Sequence, residues 1–402
     1  MKNKLINKKM INTVKEQSNR TEIHNAVGAT SSSYLSKALV GHEFFMMFLL
    51  AKPIKIWMCI MSIMMSLSAY SQTSTDNTIY PICIDGKYGF INTSGQVVVN
   101  PKFDWADTLS EGLAAVKMGE KWGYVDEKGV FVIKPQFDYA NSFVEGMASV
   151  LIIDEISRQK QWTFIDNAGK MISSPKYDDA GIFSEGLAVV IDDGDYCYID
   201  KNAKTVYITG ANIAYDFSEG LACIRKRYDR MNYRCGFMNK NGKTVVRPLY
   251  LDAYDFSDGM ARVMDDNHLW GYINKEGVAV IAPQYTVSGA FSEGLAFVKM
   301  GGTVHLIDKT GQVVSTPGID DAAPFSEGLA RVIVNGKSGY MDKTGKMVFE
   351  QMFDNADDFS RGLAKVRIGD KEGYIDKNGK WVYEVTVSER WRPRGRYEQT
   401  YE

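Results

Sequence analysis

A six-residue phrase, Phe-Ser-Glu-Gly-Leu-Ala, recurs through the chain and constrains its fold more than any other feature. Eight copies, four identical and four closely similar, lie at Leu109–Ala114, Phe143–Ala148, Phe183–Ala188, Phe217–Ala222, Phe256–Ala261, Phe291–Ala296, Phe325–Ala330 and Phe359–Ala364. Successive copies are 34 or 35 residues apart, except for two longer steps of 40 and 39 residues. A period of this length predicts a tandem array of small units that stack on one another.

A second phrase, typified by Trp122–Asp126 (Trp-Gly-Tyr-Val-Asp), occurs nine times in step with the first. A turn such as Asp342–Gly345 follows each copy. Its Asp can accept a hydrogen bond from the turn backbone, and its Gly supplies the left-handed residue of a short hairpin loop. A valine-rich run comes next and usually meets a proline, which is tolerated at the end of a strand. The second phrase and the valine-rich run are therefore predicted to be neighbouring strands.

These signals predict an all-β chain of about nine three-stranded antiparallel meanders over residues 80–385. Each meander contains a Leu-Ala strand, a Gly-Tyr strand and a valine-rich strand. A connection such as Phe137–Ala140 (aromatic-Asp-x-Ala) leads to the next unit. The unit is shorter than the roughly 40–45 residues of a four-stranded propeller blade, and no unit is split between the termini. A curved β-repeat superhelix or open ring is favoured, and a closed β-propeller-like ring is the alternative.

The two phrases and the Asp-Lys-x-Gly turn together resemble the WG-repeat (KWG) family of bacterial proteins over about residues 80–384. The resemblance implies a β-repeat protein, often exported, and it implies no catalytic activity. Thr163, Cys197 and His305 stand where the pattern has a glycine. We interpret these departures as variation within an intact fold.

The N-terminal region has the parts of an export signal. Lys52 and Lys55 precede an apolar run, Ile56–Ala69, which ends in small residues. We assign residues 47–71 as a signal peptide and residues 1–46 as a disordered extension or a mis-assigned start. The alternative, a membrane anchor, is disfavoured because a spanning helix needs about 20 apolar residues. No stable transmembrane span is expected, and the protein is predicted to be periplasmic, outer-membrane-associated or extracellular.

Composition and motifs argue against several classes of function. The net charge of −2 gives no reason to expect nucleic acid as a partner. After the signal only His268 and His305 remain, and the sequence has no phosphate-binding loop or nucleophile motif, so no metal, cofactor or catalytic residue is predicted. The repeated Glu of the first phrase could suggest the paired carboxylates of a glycosidase. Eight equivalent acids cannot all be catalytic, and a role in the turn is favoured.

The two long steps place extra residues in the hairpins Asp154–Gln161 and Arg225–Arg234. Insertions in repeat proteins often map to loops on one face, which is often the binding face. Arg forks onto carboxylates or phosphates, and Tyr adds rigid contact area. The alternative is a pair of solvated loops. The candidate binding residues are Arg158, Lys160, Arg225, Lys226, Arg227, Tyr228, Arg230, Tyr233 and Arg234.

Two further sets of residues have both a structural and a functional interpretation. Cys223 and Cys235 flank the basic loop and could form a disulfide, which export would permit; otherwise they are two small buried side chains. Trp122, Trp162 and Trp270 could form a carbohydrate-stacking row, but their recurrence in register favours a core between units.

The C-terminal tail, residues 386–402, is either a free end or a cap on the last unit. We favour an exported, non-enzymatic scaffold that binds a protein, peptide or glycan in the cell envelope or outside. An envelope hydrolase acting on glycan or peptide and a passive spacer are the alternatives. A hydrolase would turn over substrate through one particular non-repeating acid, and a spacer would have no partner.

Export can be checked by cell fractionation and N-terminal sequencing of the mature protein. A cut after Ser71 should leave Gln72 as the first residue of a protein found outside the cytosol. A cytosolic chain that retains Met1 or Met47 would contradict both the signal peptide and the predicted location.

Overall fold

The computed structural model describes residues 78–230 and 232–386, which belong to a compact unit spanning Asp76–Glu402. The predicted extension (1–46), the signal peptide (47–71) and the tail beyond Thr386 lie outside the described residues. Across the described part of the chain the secondary structure is strand and turn, and no helix there could cross a membrane. The all-β prediction is confirmed.

The strands form nine antiparallel sheets, called blades 1 to 9 in chain order. Blade 1 contains β1 (Ile79–Ile84), β2 (Lys87–Asn92) and β3 (Val97–Phe103). Blade 2 contains β4 (Trp105–Ala106), β5 (Ala114–Met118), β6 (Lys121–Val125) and β7 (Phe131–Phe137). Blade 3 contains β8 (Tyr139–Ala140), β9 (Met147–Ile153) and β10 (Lys160–Asp166). Blade 4 contains β11 (Asp179–Ser184), β12 (Leu187–Asp192), β13 (Asp195–Ile199) and β14 (Thr205–Ile208). Blade 5 contains β15 (Ile213–Ser218), β16 (Leu221–Arg227), β17 (Tyr233–Asn239) and β18 (Thr244–Tyr250).

Blades 6 and 7 contain β19 (Asp252–Ala253), β20 (Ala261–Met264), β21 (Trp270–Ile273) and β22 (Ala279–Tyr285); and β23 (Val287–Ser288), β24 (Leu295–Met300), β25 (Thr303–Asp308) and β26 (Val313–Ser315). Blades 8 and 9 contain β27 (Asp321–Ala322), β28 (Leu329–Val334) and β29 (Lys337–Asp342); and β30 (Asn355–Ala356), β31 (Leu363–Ile368), β32 (Lys371–Asp376) and β33 (Trp381–Thr386). Neighbours in the sheets follow chain order throughout.

The central strands of each blade are buried on both faces because the blade lies between two others. In β5, Ala114 and Val116 pack against blade 1, whereas Ala115 packs toward blade 3 together with Tyr124 of β6. Alternate side chains of a strand point to opposite faces. The Leu-Ala strand therefore consists of apolar residues on both sides. This packing also places Trp122 and Trp270 in the core, as predicted.

A fourth strand was missed by the sequence prediction. The aromatic-Asp-x-Ala segment, predicted to be a connection, pairs with the Leu-Ala strand as the inner strand of the blade. In blade 3, for example, Tyr139 pairs with Leu151 and Ala140 with Val150. Six of the nine sheets thus have four strands among the described residues. Most inner strands contain two residues, too few for a period-two pattern to be visible.

The glycine of the second phrase makes room for a bulge in the outer strand. Trp122 pairs with Phe137 and Tyr124 with Ile133, so three residues around Pro135 lie opposite Gly123 alone. A Cβ on Gly123 would lie 2.5 Å from the Ile133 carbonyl oxygen and 2.7 Å from the Pro135 nitrogen. The proline therefore lies inside the outer strand. The expectation that it ends the strand is wrong, since the bulge removes its nitrogen from the ladder.

The three departures from this glycine occur in blades with a reduced outer strand. Opposite Thr163 the outer segment makes only isolated bridges, and Cys197 and His305 face the short strands β14 and β26. These sheets keep their central strands.

The Ser-Glu-Gly-Leu segment of the first phrase is a tight turn. Ser110 and Leu113 exchange two backbone hydrogen bonds, and both residues between them have positive φ, 51° at Glu111 and 83° at Gly112. Two left-handed residues define a type I′ turn, which joins antiparallel strands without splaying them. A left-handed conformation is unfavourable for Glu, so the side chain must contribute something at this position.

The Glu side chain binds the next blade. In seven copies its carboxylate accepts the backbone N–H of the phrase glycine in the following blade. These bonds are Glu111–Gly146 (2.8 Å), Glu145–Gly186 (2.9 Å), Glu185–Gly220 (2.8 Å), Glu219–Gly259 (3.0 Å), Asp258–Gly294 (2.5 Å), Glu293–Gly328 (3.1 Å) and Glu327–Gly362 (2.9 Å). We call this contact the carboxylate latch.

In six latches a lysine from the following blade's Asp-Lys-x-Gly turn also binds the carboxylate. The pairs are Lys201–Glu145 (3.4 Å), Lys240–Glu185 (2.7 Å), Lys275–Glu219 (3.0 Å), Lys309–Asp258 (2.6 Å), Lys343–Glu293 (2.7 Å) and Lys377–Glu327 (3.0 Å). Burial raises the pKa of the Glu185 carboxyl, but hydrogen bonds from Lys240 and Gly220 outweigh it and hold the pKa below its ordinary 4.5.

Blades 9 and 1 meet and close the ring. The Tyr374 hydroxyl donates to the Pro81 carbonyl at 2.7 Å, and the Tyr80 hydroxyl donates to the Arg361 carbonyl at 2.5 Å. The two tyrosine rings lie 5.3 Å apart in a buried apolar cluster. The closed ring, one of the two predicted arrangements, is therefore confirmed, and the favoured superhelix or open ring is not the arrangement found. The fold is a nine-bladed β-propeller.

The latch predicts a graded loss of stability. Glu185→Ala removes a hydrogen bond and an ion pair, whereas the matched variant Glu111→Ala removes a latch without a lysine, because Asn167 occupies that place in blade 3. Urea unfolding should show a loss of about 1.5–3 kcal/mol for Glu185→Ala and a smaller loss for Glu111→Ala.

The pH dependence provides a control for this comparison. The Glu185 pKa is depressed in the folded state, so its stabilisation is complete above the ordinary value of 4.5 and is lost as the pH falls through the folded pKa. The difference in free energy of unfolding between wild type and Glu185→Ala should become smaller at acidic pH. Equal losses for the two variants at neutral pH would refute the role of the lysine.

Candidate binding site

Both long hairpins lie on one face of the ring. The meander places the Ser-Glu-Gly turns and the Asp-Lys-x-Gly turns at one end of each blade. The hairpins between the two central strands lie at the opposite end, which we call the hairpin face. Asp154–Gln161 belongs to blade 3 and Arg225–Arg234 to blade 5, with blade 4 between them. The insertions thus enlarge the same face of nearby blades.

The repeated Asp of the aromatic-Asp-x-Ala segment anchors these hairpins. Asp104 accepts the Gly119 N–H at 2.7 Å and binds Lys87 of the preceding blade at 2.5 Å. The hydrogen bond from Lys87 is the main cause that lowers the Asp104 pKa. In blade 5 the equivalent residue is Asn212, which accepts the Arg227 N–H at 2.8 Å. The hairpin with the most basic residues is therefore anchored by a neutral group.

Arg and Tyr side chains stack across this hairpin, which we call the basic hairpin (Arg225–Arg234). The Arg227 guanidinium lies 5.6 Å from the Tyr233 ring centre and donates to the Tyr233 hydroxyl at 3.2 Å. Arg234 lies 5.1 Å from the Tyr228 ring centre and binds Asp266 of blade 6 at 2.8 Å. Stacking orients a guanidinium while leaving its N–H groups able to bind an acceptor.

The tip of the basic hairpin is ordered by Asp229, whose carboxylate accepts from the Asn232 backbone N–H (2.9 Å) and side-chain amide (2.8 Å). Arg230 is exposed, and so is Tyr228, at 64%. Lys226 lies directly opposite Arg234 in the strand pair, an unfavourable arrangement of like charges. The tip therefore presents positive charge and an aromatic ring, which suit an acidic ligand.

The remaining predicted residues lie elsewhere. Arg225 is at the base of the basic hairpin, where it lines a cavity between blades 4 and 5. Arg158 and Lys160 are exposed on the hairpin of blade 3. That loop is held by Asp154, which accepts the Ser157 N–H at 2.7 Å and hydroxyl at 2.9 Å. The two predicted loops share a face but belong to blades that are not neighbours.

Cys223 and Cys235 are buried free thiols in the structure, so the hypothesised disulfide is not formed in it. A hydrogen bond between the two thiols, aided by burial, raises the pKa of Cys223. The same bond and the nearby Arg225 lower the pKa of Cys235, although burial opposes them. The Cys223 thiol also lies 3.6 Å from the Ala253 carbonyl, and the Cys235 thiol lies 3.9 Å from the Asp252 carboxylate.

Two contributing residues were missed by the sequence analysis. Asp266, which partly neutralises the basic hairpin, is on the hairpin of the next blade, and a pairing between blades cannot be read from one repeat. Asn212 could have been found, because it replaces the repeated Asp. No group of His, Cys, Asp and Glu residues suited to a metal ion occurs within residues 78–230 and 232–386.

The fold and the site define a repeat-built β-propeller with a basic hairpin on one face. The family model for the WG containing repeat matches residues 88–122, 122–152, 162–196, 236–267, 270–303, 306–337 and 339–371, which make up more than half of the chain. The chain belongs to this WG-repeat family, as its motifs indicated.

Among solved structures, the chain is similar to one titled as the eukaryotic initiation factor, with 9% identity, a TM-score of 0.57 and coverage of 77% of this chain and 96% of that chain. BamB from Moraxella catarrhalis is 11% identical, with a TM-score of 0.36 and coverage of 72% and 93%. The WD40 β-propeller domain of Doa1 is 12% identical, with a TM-score of 0.30 and coverage of 64% and 86%. At these identities the likeness concerns the fold alone. No curated protein matches the chain significantly.

The state of the cysteines can be tested by alkylation. If the thiols are free, purified protein unfolded without reductant should take up iodoacetamide at Cys223 and Cys235 as well as at Cys83 and Cys197, as measured by peptide mass spectrometry. A reduced and unfolded sample serves as the control. Labelling of Cys83 and Cys197 alone would show that the disulfide forms.

Proposed function

We propose that the protein is an exported, non-enzymatic scaffold that binds an acidic segment of a partner polypeptide through the basic hairpin. The observation that carries the proposal is the exposed tip of this hairpin, where Arg230 is exposed beside the Arg227–Tyr233 and Arg234–Tyr228 stacks. Arg and Tyr are the residues most often responsible for binding energy at protein interfaces.

The propeller suits the role of a scaffold. Its repeated carboxylates are engaged between blades, and this use supports a structural role for the groups that most resembled catalytic acids. A ring of packed blades holds its surface hairpins in fixed positions, so a ligand need not order them on binding. We therefore favour binding over hydrolysis.

An acidic polypeptide fits the hairpin better than a glycan. Sugars are commonly held on exposed aromatic faces, but Trp122 and Trp270 are only 8% and 9% exposed, because they pack between blades. Guanidinium groups match carboxylates in geometry and charge. Export is proposed from the signal-like segment Ile56–Ala69 and from the habit of the family that the chain resembles.

The proposal predicts charge-dependent binding of a short fluorescein-labelled peptide rich in glutamate. In fluorescence anisotropy, Arg227→Gln/Arg230→Gln should weaken binding by roughly tenfold, since losing each exposed charge removes a fraction of a kcal/mol to about 1 kcal/mol. Added salt should weaken the wild-type interaction.

The matched control is Arg158→Gln/Lys160→Gln, which removes two charges from the other long hairpin on the same face. It should bind the peptide as the wild type does. The proposal would be overturned if wild type and Arg227→Gln/Arg230→Gln bound the glutamate-rich peptide with equal affinity. It would also be overturned if wild type bound a lysine-rich peptide as tightly as the glutamate-rich one.

A further inference from the structure

A cavity of about 390 Å³ lies between blades 4 and 5. Its wall comes mainly from the inner two strands of blade 4 and the inner strand of blade 5. β11 and β15 contain six residues each, whereas the other inner strands contain two. The lining includes Gly181, Val189, Val190, Ile191, Asp216 and Arg225.

An acceptor without a partner lies in this wall. The Oδ1 atom of Asp216 is buried and makes no hydrogen bond within the described residues. Burial, with a smaller contribution from the nearby Asp255, raises the Asp216 pKa to about 6, although a hydrogen bond from the Ile182 backbone to this carboxyl opposes the rise. Leaving a buried acceptor unpaired is unfavourable, and more so for a charged group, so such an atom calls for a partner from outside the chain.

A donor without a partner lies in the same wall. The Nε atom of Arg225 is buried and has no acceptor within the described part of the chain. Asp216 and Arg225 are on adjacent strands of blade 5, near opposite ends of β15, since Ile213 pairs with Arg225. One cavity thus combines an acidic and a basic side chain, each with a buried polar atom that has no hydrogen-bond partner within the described residues.

The rest of the wall provides space and apolar surface. Gly181 has no side chain where a Cβ would lie 2.7 Å from the Asp216 Oδ1 and 2.9 Å from the Val189 Cγ1. Equivalent positions in other blades carry Asp107, Asn141 and Tyr254. Val189, Val190 and Ile191 form an apolar side of the cavity. A volume of a few hundred Å³ with few polar groups is typical of a small-molecule site.

We infer that this cavity binds a small zwitterion with an apolar body, namely a free amino acid or a short peptide. The ligand's ammonium group binds the Asp216 carboxylate, its carboxylate accepts from Arg225, and its side chain packs on Val189 and Ile191. Both side chains line the cavity and are half-buried, so each has atoms other than the buried Oδ1 and Nε that a ligand can contact. This inference goes beyond the proposed function, because the ligand is small and the cavity is not the tip of the basic hairpin.

The test uses isothermal titration of the purified protein with probes that carry one or both charges. L-leucine, L-valine and L-phenylalanine represent free amino acids, and L-leucyl-L-leucine represents a peptide. N-acetyl-L-leucine lacks the ammonium group, and L-leucinamide lacks the carboxylate. Wild type should bind a zwitterion at least tenfold more tightly than either blocked form. If the amino acids bind more tightly than the dipeptide, the ligand is a free amino acid, and if the dipeptide binds more tightly, it is a short peptide.

The variants assign each charge to its residue. Asp216→Asn should weaken the binding of L-leucine and L-leucinamide by roughly tenfold or more, and it should leave the affinity for N-acetyl-L-leucine unchanged. Arg225→Gln should weaken the binding of L-leucine and N-acetyl-L-leucine, and it should leave the affinity for L-leucinamide unchanged. Gly181→Ala should weaken binding of L-leucine, because its Cβ would displace the Asp216 carboxylate and the Val189 side chain. Gly289→Ala, at the same position of blade 7, is its control.

Thermal unfolding of each variant establishes that it is folded before titration. The inference is overturned if wild type binds none of the zwitterions, in which case water alone satisfies the two groups. It is also overturned if the two charge variants weaken all probes equally. Binding of the glutamate-rich peptide to Asp216→Asn should remain at the wild-type level, so the two proposals fail separately.

Discussion

The carboxylate latch is the contact on which the ring most depends. It requires a Glu or Asp in a left-handed conformation, with φ near 50° in every copy, at a position where Gly or Asn would be less strained. A carboxylate is favoured there because it both accepts the N–H of the next blade and pairs with the lysine, whereas Gly has no side-chain acceptor and Asn carries no charge. In the last copy Arg361 replaces the acid, and the blade that follows, blade 1, contains no copy of the phrase. The strained carboxylate is thus kept where the next blade offers a donor for it.

Closure of the ring keeps only one of the two kinds of contact that join the other blades. At the junction of blades 9 and 1 neither the latch nor its lysine is available, since Thr93 occupies the lysine position. The Tyr374 hydroxyl instead binds the Pro81 carbonyl, and Tyr80 binds the carbonyl of Arg361. Elsewhere the same tyrosine of the second phrase donates to the inner segment of the next blade, as Tyr124 does to Asn141 at 2.7 Å. The junction therefore keeps the tyrosine contact and replaces the electrostatic one.

The local parts of this fold could be predicted from the sequence, and the parts that depend on distant residues could not. The period, the turns and the two central strands are set by residues within one unit, and they were predicted correctly. Closure rests on a contact between Tyr374 and Pro81, 293 residues apart, which no local pattern encodes. The same limit applies to the site. The break in the period located the basic hairpin. The ion pair between Arg234 and Asp266 could not be predicted, because it joins residues of two different blades. The cavity at Asp216 required knowing that Gly181 of one blade faces the next.

Where the repeat is regular, its polar groups are used to hold the ring together, so binding chemistry is to be sought in residues that do not repeat. Among the described residues, the charged side chains with a buried atom that lacks a hydrogen-bond partner lie in blades 5 and 6, at Asp216, Arg225, Arg234 and Arg262. Asp216 and Asp255 both have a pKa raised by burial, and Arg262 lies 3.7 Å from the Tyr254 ring centre. The basic hairpin projects from blade 5, and the cavity opens beside it. A buried charge that does not stabilise the ring is retained at a physical cost. The concentration of such charges in one sector is the physical reason for proposing a ligand site in this part of the propeller.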